Sequence, residues 1–170
     1  MARPGLCALL ATLAVACDGG LQPQPMATTC PAGLVGVCGT VRVRGTEPES
    51  TDAVFVIAYR TFPQTCDDLP DFVPFPPPPI PLGDTIATYT LPLPNGQYQW
   101  IVAAWKKQGT LTLTPADTAI LREAGFYRDP ADTSQAGAVT VAGTGVDSID
   151  FVVDLDNLHP VTDYLTCTVR

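Results

Sequence analysis

TIATYTLPLPNGQYQWIVAAW, residues 85–105, is the stretch on which the fold turns. Two runs rich in β-branched and aromatic residues flank Pro94-Asn95-Gly96, and an Asn-Gly pair supplies the positive φ values that a tight β-turn requires. The spacing predicts strands over 85–93 and 97–105 joined as a hairpin. Within the second strand, period two puts Tyr98, Trp100, Val102 and Ala104 on one face and Gln99, Ile101, Ala103 and Trp105 on the other. Trp100 is expected in the core. Trp105, on the opposite face near the strand end, is expected as an exposed stacking platform or as a rim residue over the sheet edge.

Upstream, Val35, Val37, Gly39, Val41 and Val43 alternate with Gly36, Cys38, Thr40, Arg42 and Arg44, which is the pattern of a half-buried strand. After the turn GTEPES, the run AVFVIAY at 53–59 reads as a central strand. Residues 61–83 hold so many prolines that neither a helix nor a central strand is possible, because each proline fixes φ and removes a donor. This segment reads as a long loop of polyproline II character, pinned by Cys66, Phe72 and Phe75. Downstream, Thr114 as N-cap, Pro115 at the first helical position, Asp117 near the N-terminal dipole and Gly125 as stop predict one short helix over 115–124. Strands are expected around 138–141 and over 148–154, and a tail over 156–170 carries a potential edge strand, LTCTV.

The N-terminus, MARPGLCALLATLAVAC, has Arg3, an apolar run from Leu6 to Ala16 and small residues before Cys17, the form of a lipoprotein signal. An apolar run of about eleven residues is too short to span a bilayer, which takes roughly 20. The expected organisation is a signal peptide at 1–16, a lipidated Cys17 with a flexible tether to residue 29, and one domain over 30–170. Its place would be the bacterial cell envelope, anchored by lipid and facing the periplasm or the exterior. With Arg3 removed, eight basic side chains stand against seventeen acidic ones, a net charge near −9. Such a surface repels phosphate backbones, so nucleic acid is excluded as a partner.

Cys30, Cys38, Cys66 and Cys167 remain besides Cys17. In an oxidising compartment an even count favours two disulfides, with three connectivities open. A zinc site is disfavoured because no pair has Cys-x-x-Cys spacing and His159 stands apart. No cofactor is expected. Calcium is the one metal with candidate ligands, at Asp67, Asp68 and Asp71 in the proline loop or at Asp129 and Asp132 in YRDPADTSQAG, neither of which follows an EF-hand order.

Taken in order, VCGTVRVRG, DAVFVIA, YTLPLPNGQYQWIVAA and AVTVAGTGVDSIDFVVDL resemble the transthyretin-like (prealbumin-like) sandwich of carboxypeptidase regulatory-like domains, and are also similar to collagen-adhesin B-type repeats. The resemblance covers roughly residues 36–155. It implies an all-β fold, a single antiparallel β-sandwich of about seven strands, and an accessory role without catalysis; the proline loop and the one short inserted helix depart from the family's pattern. No Ser-centred elbow accompanies His159, and no Cys-His arrangement competes with the disulfide reading. The expected function is therefore a non-catalytic, monomeric envelope module that is structural or binds protein. The alternative is a carbohydrate-binding module using Trp105, Phe72, Phe75 or Tyr127 as stacking platforms.

Overall fold

A computed structural model of the chain describes residues 29–167. The signal stretch, Cys17 and nearly all of the tether lie outside the described residues.

The described chain is all-β. Its strands are β1 (Gly36–Arg44), β2 (Thr51–Tyr59), β3 (Ile86–Pro92), β4 (Gly96–Tyr98), β5 (Trp100–Lys107), β6 (Leu121–Phe126), β7 (Val139–Val141), β8 (Gly145–Val146), β9 (Phe151–Asp154) and β10 (His159–Pro160). In the first sheet β1 is central, with β3 on one side and β8 and β9 sharing the other. The second sheet runs β10-β6-β5-β2, and β4 pairs with β7 in a small third ribbon. β3 lies antiparallel to β1, but β8 and β9 lie parallel to it. The first sheet is thus mixed, not antiparallel throughout, because the chain returns to β1 from the far side after β7.

One core fills the space between the two main sheets. Val37 and Val41 of β1, Leu91 of β3 and Val153 of β9 meet Val54 of β2 and Ile101 of β5, all fully buried. Alternation explains the first sheet: in β3, Ala87, Tyr89 and Leu91 point inward while Ile86, Thr88 and Thr90 are exposed.

The expected hairpin across Asn95-Gly96 does not form. β3 pairs with β1 and β5 pairs with β2, so residues 93–99 carry the chain from one sheet to the other. Asn95 uses its side chain across the fold, its Oδ1 accepting from the Gly143 N–H at 2.7 Å. The Tyr98 hydroxyl donates back to the Pro94 carbonyl at 2.7 Å, the corner geometry of Greek-key sheets. A break at Gln99 then resets the parity. Tyr98 belongs to the main core, whereas Trp100 and Val102 face the other side of the second sheet.

The helix expected over 115–124 is a single 3-10 turn, Pro115–Ala119, followed by β6. Asp117 closes the turn by accepting from the Thr112 N–H at 3.1 Å, the Thr112 hydroxyl at 2.9 Å and the Thr114 N–H at 3.2 Å. The Arg122 guanidinium ends it by donating to the Thr118 and Leu121 carbonyls. β6 then pairs with β5, with Ala103 opposite Gly125 and Ala104 opposite Glu123, so Ala124 is the extra residue of a bulge. Leu121 packs into the cover and Ala124 into the main core, so the two are buried on opposite faces of β6 at a spacing that a helix would also show.

The second sheet is covered on its outer face as well. The β2 edge is not left open, because the proline loop pairs with it: the Ala58 and Val73 amides donate to each other's carbonyls at 2.9 Å, and the Ile80 N–H donates to the Val54 carbonyl at 2.8 Å. This is why AVFVIAY reads as a central strand although β2 is outermost in its sheet. Among the described residues, the expected C-terminal edge strand contributes one parallel bridge, Thr65 to Thr166, and its remainder from residue 168 lies outside them.

Candidate ligand-binding site

The outer face of the second sheet carries an aromatic cluster built around Trp100. Its ring lies 4.8 Å from that of Phe62, 5.6 Å from those of Tyr59 and Tyr164, and 6.4 Å from that of Phe126. β5 places it there by parity, and the proline loop and C-terminal tail close over it. Leu69 and Phe72 come from the loop, Val161 and Leu165 from the tail. Cys66 and Cys167, with Cα atoms 5.0 Å apart, form a disulfide that ties loop to tail at this point. The other disulfide, Cys30–Cys38, joins the N-terminal segment to β1 with Cα atoms 5.4 Å apart. Of the three open connectivities, this is the one adopted.

Between sheet and cover lies a cavity of about 40 Å³. Ile57, Trp100 and Val102 form its floor, and Leu69, Phe72 and Leu165 are among the groups above it. Three of the residues around it carry polar groups, although the cavity wall itself is almost wholly apolar. The Tyr59 hydroxyl donates to the Leu69 carbonyl at 2.9 Å, and burial raises its pKa. The Glu123 carboxylate accepts from the Tyr164 hydroxyl at 2.8 Å. The third, the Trp100 indole N–H, is buried and has no hydrogen-bond partner. A buried donor left unpaired costs about 1–3 kcal/mol.

Glu123 is only 4% exposed, and burial pushes its carboxyl pKa above the ordinary 4.5 despite the Tyr164 hydrogen bond and nearby His159. The sign of its contribution follows. A carboxyl with a raised folded-state pKa destabilises the fold in its charged form, and that cost disappears as pH falls through the folded pKa towards 4.5. Glu123→Gln retains an acceptor for Tyr164 and removes the titration. Melting temperatures of the two proteins from pH 7.5 down to 4.5 should converge as the wild type gains stability relative to the variant. A constant gap over that range would show that Glu123 does not titrate in this way.

The residues expected as stacking platforms do not share a face. Trp105 is a core residue, 5% exposed, with its indole N–H donating to the Thr51 hydroxyl at 2.8 Å. Phe72 is buried in the cover. Tyr127 is half-buried against the main core, its ring over Gly137. Phe75 alone is open, at 63% exposure. The corrected parity of β5 accounts for both tryptophans: Trp105 faces the main core and Trp100 the cover.

Three of the five calcium candidates are engaged with local groups. Asp68 accepts from the Gln64 and Thr65 amides, Asp129 from the Ala131 amide, and Asp132 from the Ser134 amide and hydroxyl. These bonds hold Asp68 and Asp132 below the usual carboxylate range. Among the described residues, no three acidic, histidine or cysteine side chains gather closely enough to hold a metal ion. Asp68, Asp129 and Asp132 are turn-forming acids.

Sequence reasoning placed Trp100 in the core but did not foresee Glu123, Tyr59 and Tyr164 beside it. The available signal was the unbroken apolar run of β5, WIVAAW, which marks a strand buried on both faces. No family model matches this chain, and no curated protein or solved structure matches it either.

Proposed function

We propose that this chain is an exported, lipid-anchored module of the bacterial cell envelope, with a structural or protein-binding role and no catalysis of its own. The observation that carries the reading is the pair of disulfides, Cys30–Cys38 and Cys66–Cys167. Disulfides of this structural kind form and persist in oxidising compartments, and an N-terminal signal ending at Cys17 is the route there. Within that reading the domain is a β-sandwich of the transthyretin-like kind. The stretches that carry the resemblance fall on β1, on β2, on the sheet-to-sheet corner between β3 and β5, and on β7 to β9.

The binding role is supported by the proline loop. Main-chain bonds from Val73 and Ile80 to β2 bracket its tip, where Phe75, flanked by Pro74 and Pro76, stands out into solvent. A segment stiffened by prolines loses little conformational freedom on docking. An aromatic at its tip is the kind of anchor that protein interfaces use.

Cys17→Ser tests the anchor. Cell fractionation should move the protein from the membrane fraction to the soluble envelope fraction, and metabolic labelling with a fatty-acid analogue should be lost. A variant that stays membrane-bound would contradict the lipoprotein reading.

A further inference from the structure

Among the described residues, β3 presents the one edge of the two main sheets that nothing covers. We propose that this edge, residues 86–90, is a docking site for an extended segment of another polypeptide, which adds to the first sheet as an antiparallel strand. It rests on the protein-binding reading but uses a surface apart from Phe75 and from the anchor, so a failure here leaves both of those standing.

The phase of the β1–β3 ladder decides which main-chain groups are free. The Leu93 N–H donates to the Val35 carbonyl at 3.1 Å and the Val43 N–H to the Thr85 carbonyl at 2.9 Å. With an unbroken register between those two bonds, Ala87, Tyr89 and Leu91 direct their N–H and C=O groups at β1. Ile86, Thr88 and Thr90 turn theirs the other way, and among the described residues no strand or loop pairs with them. Pro92 takes the next such position and has no N–H, so it closes the row.

The other edges are all occupied. β2 is bonded to the proline loop through Val54 and Ala58, β6 is met by the two-residue β10, and Gly125 passes against the Val152 carbonyl of β9. An open edge is ordinarily blunted by a charge, a proline or a bulge. β3 has none of these before Pro92: its register with β1 never shifts, and the sequence carries no charged side chain between Asp84 and Lys106. Its exposed side chains Ile86, Thr88 and Thr90 are β-branched, the type that favours strand pairing.

A groove of about 170 Å³ lies between this edge and Pro78, Pro79 and Ile80 of the proline loop. Its wall is mostly polar although prolines, Val56 and Ile80 line much of it, as free main-chain groups along Thr88 and Thr90 require. An added strand would exchange two main-chain bonds with each of Ile86, Thr88 and Thr90, and its residues opposite Ala87 and Tyr89 would point into the groove. The groove also decides against a second copy of this chain. Two-fold pairing about Thr88 would bring two Pro78-Pro79 segments together at the axis, and two copies of net charge −8 repel each other.

The probe is the peptide acetyl-KTVTVTK-amide, whose threonines would face outward and whose valines would enter the groove. In ¹⁵N-labelled protein, titration should move the amide resonances of Ile86, Thr88 and Thr90 downfield and slow their hydrogen exchange. Ala87, Tyr89 and Leu91, already bonded to β1, are the internal controls. The peptide N-methylated at its three threonines loses the donors that face β3 and should not bind, whereas N-methylation at the two valines, whose amides face solvent, should leave binding intact. Thr88→Pro removes the central donor at an edge position where proline is tolerated, and should weaken the parent peptide about tenfold. The N-methylated pair tests the same bonds without touching the fold. Unmoved Ile86, Thr88 and Thr90 amides at millimolar parent peptide, or equal binding of the two N-methylated forms, would overturn the proposal. Protection of those amides in peptide-free protein, together with a dimer in sedimentation, would assign the edge to a second copy and overturn it as well.

Discussion

Gly125→Ala is expected to destabilise the fold by about 3–5 kcal/mol, lowering the melting temperature by roughly 10 °C for a chain of this size. Two causes coincide at this residue. Its φ is +150°, a region L side chains rarely adopt, and a Cβ built on it would stand 1.9 Å from the Val152 carbonyl oxygen. Backbone atoms of β9 cannot move aside as a side-chain tip would, because β9 is paired along β1. Gly125 thus marks the seam where β6 of the second sheet passes directly against β9 of the first.

The two causes can be separated within the same protein. Gly143 has φ +84° and open space where its Cβ would be, so Gly143→Ala isolates the conformational cost, about 1 kcal/mol. Gly39 has no positive φ, but its Cβ would lie 2.2 Å from the Ile149 carbonyl oxygen, so Gly39→Ala isolates the collision. Chemical denaturation should rank the losses Gly125→Ala, then Gly39→Ala, then Gly143→Ala. If Gly125→Ala proved no worse than Gly143→Ala, β6 and β9 would not be in contact as described.

That seam also shows what could be read from residues alone. β3 and the second half of β1 were legible because each buries one face, and alternation registers that state. β5 was legible as a strand but not as to partner: Asn95-Gly96 has the chemistry of a hairpin turn, and only the long-range acceptor role of Asn95 towards Gly143 and the Tyr98 corner send the chain to the other sheet. The contrast between an alternating β3 and a continuously apolar β5 was the local sign that the two belong to different environments. β6 was misread because Leu121 and Ala124 are buried on opposite faces of a sheet covered on both sides, and buried apolar residues three apart are also what a helix shows. The site was legible only in part. Trp100 announced burial, but its partnerless N–H depends on what covers it, and the cover comes from segments far away in the chain.

Removing the bond that holds this cover should have the largest effect on the site. Cys66 and Cys167 are 101 residues apart, and a cross-link closing a loop of that length stabilises by about 4–5 kcal/mol through restriction of the unfolded chain. Cys30 and Cys38 are only 8 apart, which places their bond at about 2–3 kcal/mol on the same scale. The Cys66→Ala/Cys167→Ala variant should therefore lose more stability than Cys30→Ala/Cys38→Ala, by about 2 kcal/mol in urea denaturation. The two losses should also differ in place. Leu69, Leu121, Val161 and Leu165 pack around the long-range disulfide, so its removal loosens loop and tail before it loosens the main core. Amide exchange at Val73 and Ile80, whose N–H groups bond to β2, should accelerate while exchange at Val41 and Ile101 changes little at the same denaturant concentration. Trp100 emission should shift to the red as water reaches the cavity. Uniform acceleration across both sheets, with Trp100 emission unchanged until global unfolding, would mean that the cover and the main core open as one unit, and that the disulfide acts on the whole domain instead of on the site it closes.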